Sequence, residues 1–146
     1  MRITLFTLAL VQVLSLESFV GLSSVAMAEG IASDGKKVFR RCAACHAVGE
    51  GAKNKVGPQL NGIVGRSTGS ISDFKYSEGL AKLAEVDHVW TADTMAAYIV
   101  APADYIEEVA GEKLRASMAP QRLKEQQIAD VIAYLGTFDA DGAESQ

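Results

Sequence analysis

Cys42-Ala43-Ala44-Cys45-His46 sets two thiols three positions apart and follows the second directly with an imidazole. Two intervening residues let both sulfurs reach the two vinyl groups on one edge of a porphyrin. The residue after the second cysteine then brings its ring under the iron. Neutral imidazole is a nitrogen ligand that haem iron takes, and the pattern is that of c-type haem attachment. Three other readings of the pair are weaker. A disulfide across so short a loop stabilises little. A thioredoxin-like redox pair needs a β-α-β setting, which this chain lacks. A zinc site needs more ligands than the two cysteines and two histidines of the sequence comfortably provide.

The second axial position of such an iron has three candidates: His88, Met95 and Met118. Met95 falls inside a helical stretch near Tyr98 and Ile99, where a methionine fills core space. His88 stands in a polar connection just before Trp90 and reads as an exposed or locally bonded histidine. Met118 sits in a loop with Pro120 close behind it. A methionine there has less packing to do, and its soft thioether suits iron, so Met118 is the favoured ligand.

The elements that must position these groups read as helices and loops. Ser33 is placed to cap a first helix carrying Lys36, Val38 and Phe39, which leads into the cysteines. Residues 48–72 contain Gly49, Gly51, Gly57, Gly62, Gly65 and Gly69 and predict a long loop. A loop of that length in a small domain is usually functional or wrapped around something. A short helix is expected over 77–85. A second, capped by Thr91, runs to about Val100, where Pro102 stops it. Residues 105–109 suggest one further turn. Ile128, Val131, Ile132 and Leu135 recur at i, i+3, i+4 and i+7, giving a last helix over 124–135 with one buried face. The acidic tail from Asp139 is expected to fray. No alternating strands, internal repeats or domain linkers are legible.

The 146 residues are 49% apolar and carry a formal charge of −4 without a long basic run, so nucleic acid is not an expected partner. Arg2, the apolar run from Ile3 to Leu16, and Ala26-Met27-Ala28 have the layout of an export signal. Residues 1–28 are read as a cleaved signal peptide and 29–146 as a single domain. The run is too short, and too soon interrupted by Glu17, for a comfortable membrane span, so no stable membrane insertion is expected after cleavage. A retained N-terminal anchor is the alternative. Export also suits the chemistry, since many c-type haem proteins mature outside the cytoplasm, where two thiols would otherwise pair.

Further matches extend from Gly35 to Phe138. They run in order through Gly35-Lys36-Lys37-Val38-Phe39, the cysteine motif, and Val56-Gly57-Pro58-Gln59-Leu60-Asn61-Gly62-Ile63-Val64-Gly65-Arg66. Phe74-Lys75-Tyr76, Trp90, Tyr98, Met118 and Ile132-Ala133-Tyr134-Leu135 follow. In this the chain resembles class I c-type cytochromes, above all the bacterial cytochrome c2 group and mitochondrial cytochrome c. The resemblance implies an all-α cytochrome c fold, about three to five helices wrapped around one covalent haem c held by Cys42 and Cys45. It implies that the Pro58 carbonyl accepts from His46 and raises the basicity of that ligand. Arg66, Tyr76 and Trp90 would bond or neutralise a haem propionate, Tyr98 would lie near the Met118 sulfur, and Gly35 would let the first and last helices cross closely. Two positions depart from the mitochondrial pattern: Leu80 replaces a pocket asparagine, and Ala116 replaces a propionate-bonding threonine. The dense lysine ring used for docking in mitochondrial forms is also missing.

The function so implied is that of a soluble electron carrier, not an enzyme. It would be a periplasmic monomer passing single electrons between respiratory or photosynthetic complexes or dehydrogenases, its iron held by His46 and Met118. A small haem peroxidase would need an open iron position. A cytochrome c′-like gas sensor would carry its haem motif near the C-terminus. A fixed haem subunit of a larger enzyme would share the same chemistry and differ only in the permanence of its partner.

Overall fold

The computed structural model describes residues 29–145; the segment read as a signal peptide, 1–28, lies outside them. Five helices follow one another: α1 (Ala32–Phe39), α2 (Glu78–Glu85), α3 (Ala92–Val100), α4 (Pro102–Ala110) and α5 (Glu125–Leu135). Among the described residues, extended pairing is limited to two isolated antiparallel bridges, Ser67 with Val89 and Phe138 with Glu144. No helix among them is long and apolar enough to cross a membrane.

The frame is the crossing of α1 and α5. Gly35 is buried there, and a Cβ at that position would overlap the Asp130 carbonyl and come within 2.7 Å of the Tyr134 Cβ. Only a glycine allows the two backbones this approach. Around the crossing, Phe39 packs against Tyr134 at 5.5 Å between ring centres, and Tyr134 meets Phe138 edge-on at 5.2 Å. The periodic face of α5 is buried as expected, with Val131 and Leu135 almost wholly enclosed. Leu83 of α2 and Ile106 of α4 fill the other side of the core.

Several helix ends differ from expectation. Ser33 lies inside the first turn of α1 and caps nothing; Ile31 precedes the helix and has no capping side chain of its own. The structure instead sends the Ile31 N–H to the Asp130 carboxylate of α5, 2.8 Å away, and Gln126 donates to the same oxygen at 2.9 Å. These donors hold the Asp130 carboxyl below the usual carboxylate range, the Ile31 N–H foremost. A helix start is thus satisfied from the partner helix rather than from its own sequence.

Thr91 does cap α3, in a reciprocal box with Thr94, and Ser77 caps α2 by accepting from the Leu80 N–H. The turn expected over 105–109 is part of a longer helix, because Pro102 both ends α3 and opens α4 from its first position. The tail beyond Asp139 is not frayed. It folds back through the Phe138–Glu144 bridge, and Gly142 is buried.

Candidate haem site

The cysteine motif begins where α1 ends. The chain keeps its helical sense past Phe39: the Ala43 N–H donates to the Phe39 carbonyl at 2.9 Å, and the His46 N–H donates to Cys42 at 2.9 Å. An i, i+4 relation sets Cys42 and His46 one above the other on the same side of that turn. Cys42 is half-buried, Cys45 is exposed, and the two are not joined as a disulfide. Burial pushes the Cys42 thiol up, with Arg41 opposing in part.

His46 is held by its backbone neighbours. Its Nδ1 lies 2.8 Å from the Pro58 carbonyl. A carbonyl can only accept, so Nδ1 carries the proton and donates. Nε2 is left with a free lone pair, the state a metal ligand needs. Burial lowers the His46 pKa below 6.5; the Pro58 bond works against that shift, and Lys55 adds to it. The backbone of Gly57 runs directly against the ring, and the Gly57 N–H donates to the Cys45 carbonyl at 2.8 Å. The proximal side is therefore a closed frame of short bonds around one imidazole.

Met118 is half-buried against the core in the loop between α4 and α5. That loop is tied at both ends. The Gly79 N–H donates to the Arg115 carbonyl at 3.3 Å, and the Gln121 N–H donates to the Ile99 carbonyl at 2.9 Å. Met95, by contrast, is buried in α3 as core filler.

Arg66 and Trp90 are brought together because two extended segments pair, and Tyr76 lies close enough to Arg66 to act on its charge. The Trp90 N–H donates to the Arg66 carbonyl at 3.0 Å, and the Gly65 N–H donates to the Trp90 carbonyl at 2.7 Å. The Arg66 guanidinium is half-buried and donates to the carbonyls of Asn61 at 2.7 Å and Gln59 at 3.0 Å. Burial lowers its pKa, and the nearby Tyr76 opposes that. The Tyr76 hydroxyl accepts from the Ile71 N–H at 3.2 Å. Two of the five guanidinium donors are thus spent on backbone, and the rest remain for an anionic group. Leu80 and Ala116 both pack against the core as apolar side chains.

Tyr98 carries an orphaned polar atom. Its hydroxyl is buried and has no hydrogen-bond partner among the described residues. Burial pushes its pKa to about 12, so it stays an O–H donor across the physiological range. A buried donor left unmade costs about 1–3 kcal/mol, which calls for a partner from outside the chain. The free Nε2 of His46 and the two unpaired thiols are groups that would hold a covalent haem, the orphaned Tyr98 hydroxyl is one that a bound group could satisfy, and the half-buried Met118 offers a soft thioether. The residues fit the group.

One feature escaped the sequence. His88 is buried, not exposed: Nδ1 lies 2.7 Å from the Thr68 hydroxyl and Nε2 lies 2.7 Å from the Tyr105 hydroxyl. The ring meets Trp90 edge-on at 4.7 Å, and Trp90 meets Tyr98 at 5.0 Å. The only sequence signal was a histidine two positions before the single tryptophan, and its partners lie 20 and 17 positions away. Burial lowers the His88 pKa below 6.5. Below that pH the unfolded chain takes up a proton that the folded ring resists, so stability falls as pH falls. His88→Gln keeps a two-ended hydrogen-bonding side chain without titrating. Urea midpoints measured between about pH 7 and about pH 5 should show a shallower acid loss in the variant. An identical slope would mean that the ring does not stay neutral in the fold.

Comparison with known proteins identifies the family. The family described as Cytochrome c matches residues 32–139. Cytochrome c-550 of Ancylobacter novellus is 48% identical over 108 residues, covering 74% of this chain and 95% of that protein. Cytochrome c2 of Afifella marina is 44% identical over 108 residues, 74% of this chain and 82% of that protein. Among solved structures, cytochrome c2 from Rhodobacter sphaeroides superposes with a TM-score of 0.70 at 29% identity, covering 75% of this chain and 97% of that one. Ferric cytochrome c-550 from Paracoccus versutus gives 0.66 at 35% identity, covering 73% and 96%. The chain belongs to the cytochrome c family, as a class I, cytochrome c2-like member whose work is electron transfer on one covalently bound haem c, not catalysis.

Proposed function

We propose that His46 and Met118 are the two axial ligands of the haem c iron, and that the protein is a soluble monomer shuttling single electrons between larger redox proteins of the periplasm. The observation that carries the ligand reading is the bond from His46 Nδ1 to the Pro58 carbonyl, 2.8 Å long, which leaves Nε2 as the free donor. Bound haem c supplies an iron that alternates between ferric and ferrous.

The residues do the rest. Cys42 and Cys45 hold the group by thioether bonds, so it does not leave during turnover. The Met118 thioether favours the ferrous state and raises the reduction potential. The Pro58 carbonyl works in the opposite sense, by strengthening the imidazole as a donor. The buried Tyr98 hydroxyl, which has no partner among the described residues, would be the donor available to the Met118 side of the haem. Arg66, Tyr76 and Trp90 receive a propionate, with Arg66 supplying the positive charge. With His46 and Met118 both holding the iron, small molecules such as peroxide would find no open site.

Residues 1–28 are proposed as the export signal removed from the mature protein, and 29–146 as the working domain. Partners are proposed as respiratory or photosynthetic complexes or dehydrogenases. A mildly acidic carrier suits partners with basic docking patches.

A visible and near-infrared spectrum recorded through a redox titration tests the ligand reading. The expected result is a single one-electron transition of low-spin iron, with a sulfur-to-iron charge-transfer band in the oxidised form. A high-spin spectrum, or rapid cyanide binding to the native protein, would favour an open-site haem enzyme instead.

A further inference from the structure

The segment after α5 is an ordered strap. The Ser145 N–H and hydroxyl both donate to the Thr137 carbonyl, at 2.8 and 3.0 Å. The Asp139 carboxylate accepts from the backbone N–H groups of Asp141 at 3.0 Å and Ala143 at 2.8 Å, which turns the chain back on itself. Phe138 anchors the base of the strap in the core against Tyr134.

The tip of the strap presses on the loop that carries Pro58. Gly142 is buried at φ 89°, and a Cβ there would overlap the Gly49 carbonyl and the Asn61 side-chain amide. The Phe138 carbonyl accepts from the Gly62 N–H at 3.1 Å. Asn61 in turn grips Gly49 twice, accepting from its N–H at 2.8 Å and donating to its carbonyl at 3.0 Å. The Leu60 N–H donates to Ala47 at 2.9 Å, and Arg66 holds the carbonyls of Gln59 and Asn61. The strap therefore closes the far side of a bonded frame whose near side is the Pro58–His46 contact.

We propose that Thr137–Ser145 is a positioning strap for the Pro58 carbonyl, and through it sets how strongly His46 donates to the iron. The proposal rests on His46 being the iron ligand. A firm bond at Nδ1 makes the imidazole a better donor and favours ferric iron. Loosening the frame shifts the balance toward ferrous.

The test uses the full-length holoprotein. Asp139→Ala removes the acceptor of two strap N–H groups. Asp139→Asn removes the same charge but keeps an acceptor oxygen. Gly142→Ala strikes the contact itself. In Asp139→Ala the ferrous-to-ferric ratio at a fixed applied potential should rise about threefold, and the Gly49 and Leu60 amides should exchange hydrogen faster. Asp139→Asn should match the parent on both readouts, and Gly142→Ala should exceed Asp139→Ala on both. If Gly142→Ala does not fold, the Asp139 pair decides. An unchanged ratio in Asp139→Ala alongside faster amide exchange would overturn the proposal. An equal shift in Asp139→Asn would assign the effect to charge and overturn it too. Failure of the ligand reading shows separately: His46→Ala would then keep the parent's low-spin spectrum, whatever the strap variants do.

Discussion

With Met118 as the proposed ligand, Met118→Ala is expected to lower the reduction potential by on the order of 0.2 V, a modest part of the ~0.8 V that axial ligands span. Removing the thioether takes away the soft donor that favours ferrous iron, and it opens a coordination position. The loop itself should keep its course. Its anchors are backbone bonds from Gly79 to Arg115 and from Gln121 to Ile99, which do not involve the methionine side chain. The variant should therefore fold and take up haem, yet bind carbon monoxide in its reduced form and lose the near-infrared sulfur band. Retention of that band would move the ligand to another sulfur, and Met95, buried in α3, would be the first to examine. Restoring a thioether through added dimethyl sulfide should bring back part of the band without any change to the fold.

The largest effect on stability is expected at Gly35→Val. A Cβ there would overlap the Asp130 backbone, and a branched side chain would force α1 and α5 apart. Overpacking of this kind costs about 3 kcal/mol or more, because backbone and not a flexible side chain stands in the way. The damage would reach the site, since α1 leads directly into the turn that presents Cys42, Cys45 and His46. Guanidinium unfolding of the holoprotein checks this, with Ser33→Ala as an exposed control on the same helix. The control should stay within about 0.5 kcal/mol of the parent. A Gly35→Val midpoint equal to the parent's would contradict the close crossing.

What could be read from the sequence was what is local. The thiols and imidazole of Cys42 to His46 are contiguous, so their chemistry shows in the string itself. Thr91 and its partner Thr94 close their capping box within one turn, and the buried face of α5 repeats every three or four residues. The failures share a cause, which is dependence on partners far along the chain. Ser33 looked like a cap because the actual partner of that helix end, Asp130, is 99 positions from Ile31. His88 looked exposed because Thr68 and Tyr105 supply its partners from other segments. The acidic tail looked loose because nothing in its composition reveals the surface around Gly49 and Asn61 that receives it. Arg66, Tyr76 and Trp90, proposed to receive a propionate, carry no local signature at all. Only family resemblance points to them, and the pairing of 65–68 with 88–90 supplies a physical reason for bringing Arg66 and Trp90 together.

The site is also more constrained than a list of ligands suggests. His46 is oriented by Pro58, Pro58 sits in a loop gripped by Asn61 and Arg66, and that loop is pressed by the strap from α5. With His46 as the proposed ligand, such a frame would limit reorganisation when the iron changes charge, because the backbone around His46 has little room to move.

Intact mass of the denatured, alkylated protein, purified from a host able to install c-type haem, bears most directly on the covalent attachment. The expected species is the polypeptide plus one haem, with neither Cys42 nor Cys45 taking up the alkylating reagent. A chain at bare peptide mass carrying two alkyl groups would contradict it.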